Sequence, residues 1–375
     1  MKKFLLLCAV PALLLGRCTP ATMPDMSPDT TSAVAEETTE SGYVRANSEY
    51  QKGFWLPFTQ YSELMAGKNE EEFRKAVAER FGKAVDEGLN TVYLHVRPDG
   101  TAYYNSELFP KGGFIDGDYD PLEIMLDEAH KLGLSAHAWI NPLRLQTVEQ
   151  MAEVPENYIT KQLIDSGDAG EVNGRYFLHP DSEKVLELLR DSVAEIVENY
   201  DVDGVHIDDY FYPTTDTDFD AERFAASGEK DMTKWRTDAI TNMVKTLYDA
   251  VKAADSDIPF GISPQGNLKA DYESQYADVK RWLAEKGYCD YMIPQIYYGF
   301  DNETLPFLPT LAEWESLPRD ESVSLIIGLG AYKLGKADKW AGAAGEDEWL
   351  SDPDIIEKQI AAVSDADTDG YAIYY

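Results

Sequence analysis

The chain reads as an α/β protein, a single-domain (β/α)8 barrel (a TIM barrel) preceded by an export signal and a flexible tether. Three observations carry that reading. Short apolar runs with strand character alternate with amphipathic helical segments from about residue 50 to the end, which calls for a parallel sheet covered by helices. The strand-like runs number eight, the count that closes a barrel. Polar residues also gather near the C-terminal ends of several of these runs, where such barrels build their sites. A doubly wound open sheet is the structural alternative, but no Gly-rich phosphate loop follows the first strand.

Taken in order, residues 53–58 read as the first strand. A helix follows with Phe73, Val77, Phe81 and Val85 on one face, and Gly88 ends it. The second strand spans 90–97. The next helix opens at Pro121, carries Leu122, Met125, Leu126, Ala129 and Leu132 on one side, and closes at Gly133 before a third strand at 134–141. Residues 142–180 lack a clear period. An irregular segment of that length in a compact domain is usually a functional loop or a lid. The clearest helix spans 182–200, with Val185, Leu188, Leu189, Val193, Ile196 and Val197 as its apolar stripe. It leads into a fourth strand within 201–213, where Val205 and Ile207 alternate with His206 and Asp208. Further helices carry Ile240, Val244, Leu247 and Val251, then lie around 276–285, 311–315 and 355–363. Strands are expected at 258–263, 290–297, 324–329 and 370–375.

Composition narrows the function classes. The chain has 375 residues, 44% of them hydrophobic, enough for one large core. A formal net charge of -35 argues against a nucleic-acid partner, since phosphates demand a basic surface. Cys8, Cys18 and Cys289 form neither a disulfide framework nor a zinc-binding spacing, and no cofactor or metal is expected. Lys2 and Lys3 precede an apolar run at 4–15, too short to span a bilayer comfortably. Cys18 stands where a lipoprotein signal places its lipidated cysteine, although Arg17 occupies a position normally held by a small residue. The expected division is therefore a signal at 1–18, a Thr-, Ser-, Pro- and Glu-rich linker at 19–48, and the barrel at 49–375. The expected working form is a monomer in the cell envelope that meets the membrane only through a lipidated N-terminus.

Strand parity then gathers a candidate site. Residues two apart share a face. His95 and Arg97 end the second strand, His137, Trp139 and Asn141 the third, His206 and Asp208 the fourth, and Gln295 and Tyr297 the sixth. Each set is expected to face the barrel mouth, with Val96, Ala138, Ile207 and Ile296 facing the helices. Asp208 is the residue least compatible with a purely structural role, because a buried unpaired carboxylate is very unfavourable. Arg97 is read either as a site residue or as a buried ion-pair partner of Asp208 or Asp209. The three histidines are read either as site residues or as hydrogen-bonded interior groups.

Several stretches also resemble the glycosyl hydrolase-like 10 family. They are Trp139-Ile140-Asn141-Pro142-Leu143-Arg144, the run from Val202 to Pro213, Gly261-Ile262-Ser263-Pro264 and Pro294-Gln295-Ile296-Tyr297, supported by Arg97-Pro98, Ala102-Tyr103, Asp120-Pro121-Leu122 and Trp235-Arg236. The chain departs from the family at Gly100-Thr101-Ala102, where Gly-Asp-Ala is usual and Asp99 stands just before. The resemblance implies an exported, often lipid-anchored barrel hydrolase of glycans, linked in bacteria to peptidoglycan strands stripped of their stem peptides. Glycoside hydrolysis needs two carboxyl groups. Asp208 is expected as nucleophile or electrostatic stabiliser, with Asp209 as nearest partner and Asp99 as a third carboxylate. Because neighbours on a strand point apart, Asp209 is also read as a mere orienter of ligands. His95, Arg97, Trp139, Asn141, Arg144, His206, Tyr210, Gln295 and Tyr297 are expected to bind or position the sugar. Two other readings stay open: a glycan-binding barrel without catalysis, and a metal-dependent amidase or deacetylase using His95, His137, His206 and Asp208.

Overall fold

The computed structural model describes Arg45 and residues 48–375. The signal segment, Cys18 and nearly all of the expected linker lie outside the described residues. Eight parallel strands close into a barrel in which the first pairs with both the second and the last. In chain order they are β1 (Gln51–Leu56), β2 (Thr91–Arg97), β3 (Ser135–Ile140), β4 (Gly204–Ile207), β5 (Phe260–Ile262), β6 (Tyr291–Met292), β7 (Ser324–Leu329) and β8 (Gly370–Ile373).

Two separate apolar clusters follow from the period-two alternation. Trp55, Tyr93, Trp139, Tyr291, Ile293, Ile326 and Ala372 pack with one another, and since they lie on or directly after β1, β2, β3, β6, β7 and β8, on several sides of the ring, they meet only inside the barrel. Phe54, Leu94, Ala138, Val205 and Ile207 have the opposite parity and join the larger core beneath the helices. Glycines make room for the interior rings. A Cβ at Gly261 would stand 1.9 Å from the Tyr291 ring, and one at Gly204 would stand 2.3 Å from the His137 ring.

The outer layer includes α1 (Glu70–Asp86), α2 (Pro121–Lys131), α3 (Glu183–Asn199) and α4 (Met232–Ala254). Asn69 and Glu72 form a capping box on α1, and the Asp120 carboxylate caps α2 ahead of Pro121. The helix expected around 276–285 is two pieces, Leu268–Gln275 and Val279–Ala284. Tyr276 between them adopts a left-handed backbone at φ 54°. Its hydroxyl accepts a 2.8 Å hydrogen bond from Arg236 Nη1, and its ring lies 5.1 Å from that guanidinium. That tertiary hold offsets the unfavourable backbone conformation.

Other expected elements are shorter than their apolar runs. β6 pairs regularly only over Tyr291–Met292 because Pro294 has no N–H to give a ladder. Gln295 beyond it rejoins the sheet through isolated bridges to Gln265 and Gly328. The segment 142–180 is not irregular throughout. It contains a three-stranded antiparallel sheet of Arg144–Thr147, Arg175–Leu178 and Ala169–Val172. Asn173 and Gly174, both with positive φ, make its tight turn, the residue pair that such hairpins favour.

Candidate functional site at the barrel mouth

β4 ends at Ile207, so Asp208 and Asp209 follow the strand instead of lying within it. The strict alternation that would send them to opposite faces no longer applies, and both line one cleft of about 420 Å³ above the barrel. Aromatic walls surround them: Trp55 from β1, Trp139 from β3, and Tyr297, Tyr332 and Tyr374 from the loops after β6, β7 and β8. His95, Arg144, Tyr210, Gln295 and Phe58 complete the rim. Such a concave, largely aromatic enclosure with a few convergent polar groups suits a small organic ring.

A relay of hydrogen bonds fixes Asp208. Its Oδ1 accepts from Asn141 Nδ2 at 2.6 Å and from the Tyr210 backbone N–H at 3.1 Å. Asn141 Oδ1 in turn meets His95 Nε2, so the His95 proton sits on Nε2 and the amide orientation of Asn141 is set. The His95 ring stacks on Trp139 with centroids 3.6 Å apart and planes within 7°. Asp209 Oδ1 accepts from Gln295 Nε2 at 3.1 Å.

A second chain runs deeper in the barrel. Trp55 Nε1 donates to His206 Nε2 at 3.1 Å, so His206 carries its proton on Nδ1, which faces the Tyr291 hydroxyl at 3.3 Å. That hydroxyl is 2.7 Å from His137 Nδ1, and His137 Nε2 is 3.1 Å from Ser135 Oγ. Each group donates to the next only if both histidines are neutral. Burial agrees, holding His206 and His95 well below the usual imidazole range and His137 at about 4.

The carboxylates are displaced the other way. Burial, then the neighbouring Asp209 charge, pushes Asp208 up to about 7 against the opposing pull of Asn141 and the Tyr210 N–H. Burial also raises Asp209, against hydrogen bonds led by Gln295. Two buried carboxyl groups of which one feels the other's charge cannot both ionise freely, so the pair retains a proton to near neutrality.

The structure thus brings Asp208, Asp209, His95, Trp139, Arg144, Tyr210, Gln295 and Tyr297 to the cleft. Asn141 and His206 lie beneath its lining, fully buried. Arg97 is a correction. The register between β2 and β3 shifts between His95 and Arg97, so Arg97 pairs with Ile140 and takes that residue's outward face. Its guanidinium lies 4.9 Å from the Phe109 ring and feels Tyr104, Asp99 and Glu195, making no ion pair with Asp208 or Asp209. Asp99 is outside this cleft as well, accepting from Thr101 N and Oγ1 and lying 3.8 Å from Arg175. Nor is the ligand set weighed for a metal assembled. The histidine nitrogens described above face protein partners, and among the described residues no group of three or more His, Cys, Asp or Glu is arranged to hold a metal ion.

Sequence parity missed Trp55, Phe58, Tyr332 and Tyr374. Trp55 and Tyr374 lie on or just after strands β1 and β8, and their place at strand ends was the available signal. Phe58 and Tyr332 sit in short helical turns and carried none. A larger groove of about 950 Å³ runs along α2 and α3, lined by carboxylates such as Glu123, Asp127, Glu195 and Glu198. It shares no residue with the mouth.

Comparison with known proteins follows the same lines. The family described as glycosyl hydrolase-like 10 matches residues 52–343. Glycosyl hydrolase DigH of Escherichia coli is 30% identical over 301 residues, which cover 72% of this chain and 67% of that protein. Glycosyl hydrolase YngK of Bacillus subtilis is 29% identical over 301 residues, 73% of this chain but 57% of its own length. Among solved structures, the glycoside hydrolase domain of PgaB (BpsB) from Bordetella bronchiseptica superposes with a TM-score of 0.59 at 13% identity, covering 87% of this chain and 94% of that one. Alpha-L-fucosidase isoenzyme 2 from Paenibacillus thiaminolyticus gives 0.55 at 13% identity over 87% and 46%. These structural likenesses show the barrel fold.

Proposed function

Because the chain belongs to the glycosyl hydrolase-like 10 family, we propose that it hydrolyses glycosidic bonds of an envelope polysaccharide with Asp208 and Asp209 as the working pair. The observation that carries this reading is the pair itself: two adjacent carboxyl groups, both raised, under an aromatic vault. The substrate proposed is peptidoglycan glycan strands lacking stem peptides, following the family resemblance of the motifs. Export, with anchoring through Cys18, belongs to the same proposal and rests on the pattern of residues 2–18.

Asp208, which retains its proton to near neutrality, takes the role of acid. As the bond from the anomeric carbon to the glycosidic oxygen breaks, Asp208 gives its proton to that oxygen. The Asp209 carboxylate opposes the positive charge developing on the sugar ring. Water then supplies hydroxide to the anomeric carbon and returns a proton to the carboxyl pair. This exchanges the role that sequence position suggested for Asp208, because its environment favours the protonated form. Trp55, Trp139 and Tyr297 offer ring faces to the sugar, while Arg144, Tyr210 and Gln295 reach hydroxyl or acetamido groups. Asn141, His95 and His206 are positioning residues that act through Asp208 and the vault.

The test is incubation of the protein with peptide-free glycan strands, with products read by mass spectrometry beside an Asp208→Ala control. Shorter saccharides from the native protein alone are expected. Binding without cleavage would instead favour a non-catalytic glycan-binding barrel, and neither binding nor cleavage would rule out this glycan.

A further inference from the structure

Phe58 lines two cavities. One edge of its surroundings is the cleft over Asp208, where it meets His95 edge-on at 5.4 Å. The other is a separate pocket of about 300 Å³ reached past the same ring. This second pocket has the chemistry of a sugar site. Tyr103 and Phe114 line it with near-parallel rings, 6.4 Å apart and inclined by 19°. Asp99, Thr101, Lys111 and Gln146 add polar groups.

Gln146 is the informative member. It is 2% exposed, its Nε2 donates to the Gly100 carbonyl at 2.8 Å, and its Oε1 is buried without a hydrogen-bond partner. A buried carbonyl oxygen left without a donor is unfavourable by about 1–3 kcal/mol in general, and Gln146 is among the residues that line this pocket. The backbone is fitted to this arrangement: a Cβ on residue 100 would stand 2.3 Å from Gln146 Oε1, so glycine is what allows the amide there.

We infer that this pocket is a distal subsite for a sugar unit of the same glycan chain that is cut over Asp208, with Phe58 as the shared wall between them. The inference rests on the proposed hydrolase reading for its ligand class. A sugar offers an apolar ring face for Phe114 and Tyr103, and hydroxyls for the Asp99 carboxylate and the Thr101 and Lys111 side chains that line the same pocket. Long strands would span both cavities, and short ones only the first.

The experiment measures binding of short and long fractions of peptide-free glycan strands to the full chain carrying Asp208→Asn, alone and combined with Phe114→Ala or Phe114→Tyr. Long fractions are expected to bind more tightly than short ones. That gain should fall about tenfold with Phe114→Ala and return with Phe114→Tyr, which keeps the ring. In the cleaving protein Phe114→Ala should raise KM for long strands far more than it lowers kcat. No gain with length, or an undiminished gain in Phe114→Ala, would overturn the subsite. Should the protein with Asp208 intact cut no strand while the ring-dependent gain persists, the hydrolytic reading falls and the subsite stands.

Discussion

Asp208 concentrates the chemistry because its surroundings disfavour its charge. Its ordinary value is 3.8, and burial with the Asp209 charge lifts it to about 7. If the protonated form is the working acid, turnover should decline as pH rises through about 7, and Asp208→Asn should lower kcat/KM by about 10²–10⁴ across the profile. The same displacement links to folding. Between 3.8 and about 7 the folded chain binds more protons at this site than the unfolded chain, so this contribution to stability is present at low pH and lost as pH rises through that window. Asp208→Asn removes the effect. Denaturant curves at several pH values should therefore show a flatter profile for the variant, and parallel profiles would mean that Asp208 titrates normally. His95 and Asn141 matter through this residue, since the imidazole Nε2–H fixes the amide whose other end holds the carboxylate.

The loop after β4 carries both carboxylates, and a buried brace holds it. Arg236 on α4 donates to both oxygens of Asp220, at 2.6 and 2.8 Å, with neither side chain more than 1% exposed. The Tyr212 hydroxyl bonds the same carboxylate, and Arg236 Nη2 reaches the Asp216 carbonyl at 2.7 Å. This gives the Trp235-Arg236 motif its physical meaning: it anchors the far end of the segment that begins with Asp208. Removing one partner leaves the other charge buried, so Arg236→Leu should destabilise by about 3–5 kcal/mol in denaturant unfolding. The double change Arg236→Leu with Asp220→Leu should recover a good part of that loss. If the single change were as stable as the native chain, the brace would be dispensable. The bulge at the end of β2 works in the opposite sense, turning Arg97 away from the cleft and leaving His95 as the last inward residue of that strand.

Charge acts on the molecule as a whole. A net charge of -35 imposes self-repulsion on the compact state, and the groove along α2 and α3 collects several of the carboxylates. Salt screens charges separated by more than about 10 Å at 0.1 M. Raising NaCl from about 0.02 to about 0.2 M should therefore raise the melting temperature in calorimetry. A falling melting temperature would mean that local ion pairs such as Arg223 with Asp181 outweigh the long-range repulsion.

The barrel was legible in the chain because its strands and helices impose different hydrophobic periods, and both survive in the residues themselves. The run ending in Asp208 and Asp209 was legible for a related reason: carboxylates at the end of a buried strand have few places to go. Arg97 was misread because parity assumes an unbroken ladder, and one bulged residue reverses every side chain beyond it. Trp55 and Tyr374 become neighbours only when β8 closes against β1, and Tyr332 sits in a helical turn after β7 that no strand period marks. The raised carboxyl pair belongs to the tertiary structure for the same reason. Sequence order determines which residue types stand at each strand end, but burial and the distance between charges exist only once the ring has closed.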